Sequence, residues 1–115
     1  MRVGIIGSRE LNGGEERCYE RICGSVPANC TEIVSGGADG VDALSERYAR
    51  ENAILFKKFE PEYHKYGKNA PLMRNAQIVD YANFMLVFWN GKSRGTARAI
   101  EICCELGRPV EIFLI

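Results

Sequence analysis

The chain contains one histidine, and no cluster of metal-ligating side chains surrounds it in the sequence. That removes the usual basis for a zinc or related metal site, which needs several His, Cys or carboxylate ligands at set spacings. Net charge is also lacking, because fifteen basic residues balance fifteen acidic ones. Long-range attraction to DNA or to an anionic membrane is therefore absent, although a local basic patch could still form. No apolar run approaches the roughly 20 residues needed to cross a bilayer. Met1-Arg2-Val3-Gly4-Ile5 enters a strand pattern directly and lacks the shape of a signal peptide. The five cysteines are Cys18, Cys23, Cys30, Cys103 and Cys104, an odd count with no CxxC pair. They are expected to be reduced, mostly buried thiols in a cytoplasmic protein. Internal repeats, linkers and low-complexity tracts are missing as well. At 115 residues the chain is expected to form one domain, residues 1–115.

What is present is a regular alternation. Short Val/Ile-rich runs predict strands at Arg2–Gly7, Glu32–Ser35, Ile54–Phe59, Phe84–Trp89 and Val110–Ile115. Between them, helical spacing predicts helices at Glu15–Cys23, Asp39–Asn52, Pro71–Ala82 and Thr96–Leu106. Their inward residues are expected to be Cys18 and Ile22, then Val41, Leu44 and Tyr48. Met73, Ala76 and Val79 follow, and finally Ala97, Ile100 and Cys104. Asp39 reads as the N-cap of the second helix, Pro71 suits a first turn, and Gly107 with Pro109 marks a helix stop. Lys57-Lys58 suggests an edge strand. Glu60–Asn69 reads as irregular, with His64 on the surface or in a lid. The order βαβαβαβαβ predicts an α/β fold, a Rossmann-like three-layer sandwich with a five-stranded parallel sheet ordered 3-2-1-4-5.

Three glycine-bearing turns each follow an apolar run: Gly4-Ile5-Ile6-Gly7-Ser8-Arg9, Ser35-Gly36-Gly37-Ala38-Asp39-Gly40-Val41-Asp42, and Asn90-Gly91-Lys92-Ser93-Arg94-Gly95-Thr96. Glycine lets backbone approach a ligand, and a helix N-terminus offers free N–H donors with a positive dipole end. In the predicted strand order the turns follow three neighbouring strands, so they converge at the point where winding reverses. They point to a nucleotide or nucleotide-derived small molecule rather than to a resident cofactor or a metal. The first turn lacks GxGxxG, the second carries no ribose-holding acid at its strand end, and no GxxxxGK[ST] occurs. An ordinary NAD dehydrogenase and a P-loop NTPase are therefore disfavoured.

Within these turns, Gly95, Thr96 and Ser93 read as phosphate donors at the start of the last helix, beside Gly91. Ser35, Gly36 and Gly37 read as phosphate or ribose contacts. Arg9 and Arg74 read as phosphate forks, since a guanidinium suits bidentate contact. Trp89 could stack on a base or belong to the core. Asp42 is the candidate for acid/base or ribose work, because a carboxylate at an anion site needs a hydroxyl, a cation or a reacting water.

The set GxxGSR, SGGAxGxD, Arg74-Asn75 and a glycine turn ending in Gly-Thr resembles the SLOG superfamily, most closely its small single-domain YspA-like and YAcAr-type proteins. The resemblance spans Arg2 to Ile115. More distant relatives are the "lonely guy" phosphoribohydrolases, molybdenum cofactor carrier proteins and the DNA-processing protein DprA. The resemblance implies a Rossmann-like fold that binds nucleotides or their derivatives. It places Gly7, Ser8, Arg9, Ser35, Gly36, Gly37, Ala38, Asp39, Gly40, Asp42, Arg74, Asn75, Gly91, Ser93, Gly95 and Thr96 beside the ligand. It also suggests a homodimer or larger homo-oligomer. The catalytic glutamate of the lonely guy enzymes falls three residues after the threonine, where this chain has Ala99. The expected function is thus a sensor or binding module for a nucleotide-like ligand. A hydrolase acting on an N-glycosidic or phosphate bond is the alternative. A nucleic-acid-binding role is disfavoured by the zero net charge.

Overall fold

A computed structural model describes all residues, 1–115. Its elements are β1 (Arg2–Gly7), α1 (Glu15–Ser25), β2 (Glu32–Ser35), α2 (Val41–Glu51), β3 (Leu55–Lys58), α3 (Tyr63–Tyr66), α4 (Ala70–Tyr81), β4 (Phe84–Trp89), α5 (Arg94–Leu106) and β5 (Val110–Leu114). The five strands form one sheet in the order β3-β2-β1-β4-β5, and every neighbouring pair is parallel. The chain is thus an α/β, Rossmann-like fold.

Alternation along β1 divides the core. Val3 and Ile5 face one side with Cys18, Ile22, Val41, Ala49, Leu86 and Phe88, which places α1 and α2 on that face. Ile6 faces the other side with Ile78, Val79, Met85, Ala99 and Ile102, which places α4 and α5 there. The two central strands, β1 and β4, are buried on both sides, so they read as unbroken apolar runs. The two edges differ. β3 carries Lys57 and Lys58, both exposed, which blunts edge-to-edge pairing. β5 instead exposes Ile112 and Leu114.

Several local expectations are corrected. Asp39 is not an N-cap: the capping position of α2 is Gly40, and no side chain caps it. Gly40 has φ +74°, a left-handed conformation that cannot continue into a helix and that favours glycine. On α4 Val79 is buried as expected, together with Ala70, Arg74 and Ile78 at i, i+4 and i+8, whereas Met73 is exposed. In α5 the buried residues are Thr96, Ala99, Ile102 and Cys103, while Cys104 is exposed. On α2, Val41 is buried as expected, with Ser45 and Ala49 beside it, while Leu44 and Tyr48 are only half-buried. Of the five cysteines only Cys18 and Cys103 are buried, and none is paired. The segment expected to be irregular holds the single helical turn α3 and a 3-10 turn at Gly67–Asn69, with His64 exposed. No helix is long and apolar enough to cross a membrane.

Candidate functional site

β1, β2 and β4 are adjacent, and all run in one direction. Their carboxyl ends therefore deliver the three turns to one edge of the sheet, as the winding rule requires. Ser8 joins them. Its N–H donates to the Phe88 carbonyl, its own carbonyl accepts the Val41 N–H at the start of α2, and its Oγ accepts the Asn90 N–H at 3.1 Å. Ser8 is 1% exposed, and its backbone N–H and carbonyl both serve the scaffold. Gly7 permits the same convergence, because a Cβ there would stand 2.5 Å from the Phe88 carbonyl and 2.6 Å from Val41. At Gly40 an added Cβ would run into the carbonyls of Ser8 and Arg9.

The turns enclose a cleft of about 500 Å³, within the range of small-molecule sites. Its lining includes Gly7, Ser8, Arg9, Ala38, Asp42, Arg74, Asn75, Ser93, Gly95 and Thr96. Seven residues expected beside a ligand do not line it: Ser35, Gly36, Gly37, Asp39, Gly40, Trp89 and Gly91. Most of these have visible structural work. Ser35 Oγ donates to the Ile5 carbonyl at 2.7 Å. The Gly36 carbonyl accepts from Arg74. The Trp89 indole N–H donates to the Ser93 carbonyl at 3.0 Å, so the ring anchors the third turn from behind. Asp39 is exposed. Conversely, Ile6, Glu10 and Pro71 also line the cleft, as do Asn90 and Lys92 of the third turn, none of them named as a ligand contact from the sequence. Asn90 carried a readable signal. Asn before Gly favours a side-chain-closed turn, and its Oδ1 accepts the N–H groups of both Lys92 and Ser93.

The third turn leads into the N-terminus of α5. Ser93 is the N-cap of α5, and its Oγ accepts the Thr96 N–H and donates to Thr96 Oγ1 at 3.0 Å. The N–H groups of Arg94 and Gly95 belong to the first helical turn and have no intrahelical acceptor. Three cations, Arg9, Arg74 and Lys92, line the same cleft. Arg74 is buried and fixed, with Nε donating to Asn75 Oδ1 and Nη1 to the Gly36 carbonyl, both at 2.8 Å. Burial pushes its pKa down, Asp42 nearby pulls it back up, and Arg9 adds a smaller push down.

Asp42 is the electrostatic anomaly. It is 5% exposed. Its Oδ2 accepts the Ala38 N–H at 3.2 Å, whereas its Oδ1 is sealed and has no hydrogen-bond partner. Burial raises its pKa, opposed by the Ala38 N–H, then by the nearby charges of Arg74 and Arg9. A carboxyl in that setting can hold a proton more readily than a solvated one. No group of three or more His, Cys, Asp or Glu residues is placed to hold a metal.

Fold and site together define a Rossmann-like α/β domain with a polar, cation-bearing cleft at its topological switch point. A family model described as DNA recombination-mediator protein A matches residues 1–55. That stretch covers β1, α1, β2, α2 and the first residue of β3, and hence two of the three turns. No curated protein and no solved structure matches the chain.

Proposed function

We propose that the cleft binds a nucleotide or nucleotide-derived small molecule, with its phosphate at the N-terminus of α5, and that the protein serves as a binding or sensing module. The observation that carries this reading is the start of α5, where the Arg94 and Gly95 N–H groups have no intrahelical acceptor, beside a cleft that also holds Arg9, Arg74 and Lys92. Backbone N–H donors, a positive dipole end and guanidinium groups together suit a phosphate. The similarity of residues 1–55 to DNA recombination-mediator protein A supports the wider SLOG relationship, and the YspA-like assignment is the finer proposal within it. Self-association into a homodimer is part of the same proposal.

The test is a thermal-shift screen with nucleotides, cyclic nucleotides, ADP-ribose and NAD. A ligand at about 100-fold its Kd stabilises by roughly 2.7 kcal/mol. Gly95→Asp should abolish the shift, because it sets a carboxylate where the phosphate would sit. Space around Gly95 is open, so the variant should fold. No shift from any of these compounds would reject the reading.

Asp42 favours a second reading, in which the cleft hydrolyses an N-glycosidic or phosphate bond. A buried carboxyl with a raised pKa is suited to general acid/base work. Release of free base or phosphate during incubation, lost in Asp42→Asn, would establish turnover. The description of the matched family suggests a DNA-handling role as well. Zero net charge and the two carboxylates in the cleft, Glu10 and Asp42, oppose it. Including a single-stranded oligonucleotide among the test compounds decides the point.

A further inference from the structure

A second hollow adjoins the cleft. Glu10 and Asn90 line both the cleft and this hollow of about 380 Å³. This hollow has a different chemistry. Leu11, Leu114 and Ile115 line it, together with the buried Cys18 of α1. Arg17 and Arg21, four apart on α1, form one wall. Arg21 Nη1 donates to the Leu114 carbonyl at 3.2 Å, which leaves the rest of its guanidinium plane available for contact. Arg17 is exposed.

A second phosphate fits this hollow poorly. Glu15 and Glu16 occupy the first turn of α1, so that helix N-terminus is already matched by negative charge, and Glu10 stands at the junction. A flat, weakly polar ring fits well. Aliphatic side chains can cover its face, and a guanidinium can lie against it. We infer that the hollow is the base subsite of the ligand whose phosphate lies at α5, so that the ligand is a nucleotide retaining its base and not a sugar phosphate. This rests on the reading of the cleft as a phosphate site.

The experiment measures binding of inorganic phosphate, ribose 5-phosphate, ribose 1,5-bisphosphate and AMP to the full chain by calorimetry, and of etheno-AMP by fluorescence. AMP should bind about tenfold or more tightly than ribose 5-phosphate, the increment expected for sheltering a ring on apolar surface. Etheno-AMP emission should change on binding. Leu114→Asp should remove most of that gain and the emission change, while leaving ribose 5-phosphate affinity unaltered. Leu114 is 67% exposed, so the variant should fold, and Arg17→Ala provides a second one. Equal affinity for AMP and ribose 5-phosphate overturns the base subsite but leaves the phosphate site standing. A preference for the bisphosphate over AMP also overturns it. If none of the four binds, the phosphate reading falls, and the base subsite falls with it.

Discussion

At the scale of single residues, the site is built as much by what is missing as by what is present. Gly40 and Gly95 illustrate two kinds of glycine. Gly40 combines φ +74° with carbonyls packed where a Cβ would go, so Gly40→Ala should cost about 2–3 kcal/mol through backbone strain and displaced turns. Gly95 sits in the first turn of α5 with open space around it, and Gly95→Ala should be neutral or gain about 0.5 kcal/mol. Urea titrations of the two variants check the contrast. Similar losses in both would mean that Gly40 is not under the packing described. Asp42 gives a pH-dependent prediction. Its folded-state pKa lies above the unfolded one because burial disfavours the charged form. When both states are protonated there is no penalty, and above the folded pKa the native state bears the whole of it. Asp42→Asn should therefore be more stable than the parent at pH 7, with the gap closing as pH falls through the raised folded-state pKa and gone below about 4. Thermal melts across that range report the sign directly. Parent and variant melting together at all pH values would show that Asp42 is adequately solvated.

At the scale of elements, helix α5 carries both a capping bond and the proposed phosphate site. Its N-cap is the Ser93 side chain, and its C-cap is Gly107 in the left-handed conformation. Ser93→Ala removes the acceptor for the Thr96 N–H and should cost about 1 kcal/mol of stability. The same change frees that N–H for a ligand, so phosphate affinity should fall less than for Gly95→Asp. Comparing Tm and Kd for the two variants separates capping from binding. The boundaries of the helices were less legible than their existence. The fourfold spacing of Cys18 and Ile22 identified the buried stripe of α1. In α4 the stripe passes through Arg74, a charged residue that pattern reading assigns to the surface. Arg74 is buried because Asn75 and Gly36 supply acceptors for it, and the Gly36 carbonyl, thirty-eight residues away, is not visible from spacing within the helix. In α5 the sequence offers two apolar stripes, and contact with α4 selects the one through Ala99, Ile102 and Cys103.

At the scale of the whole molecule, the sheet is central to both cores. Leu86 on β4 is fully buried and packs on the α1–α2 side, so Leu86→Ala should cost about 2–5 kcal/mol, a large share of a stability of about 5–15 kcal/mol. Ile112 on the β5 edge is 47% exposed, and Ile112→Ala should change stability by less than about 1 kcal/mol. Chemical denaturation of both variants tests the ranking. A larger loss at Ile112 would indicate that the β5 edge is covered in solution.

The strand order 3-2-1-4-5 and the convergence of three distant turns were both legible in the sequence. Alternating strands and helices force parallel pairing, and right-handed crossovers leave one switch point. The identity of the glycines was legible too, because a backbone that must pass close to another carries its signature in the residue type. What each turn does with those glycines was decided only by the tertiary structure. Trp89 became a strut behind the third turn, Ser8 a junction between all three, and Ser35 a bond to the neighbouring strand. Asp42 became a buried carboxyl with an unsatisfied oxygen. Those roles depend on which donor and acceptor meet across strands, and that pairing is fixed by packing between segments up to about eighty residues apart, such as Ser8 and Asn90.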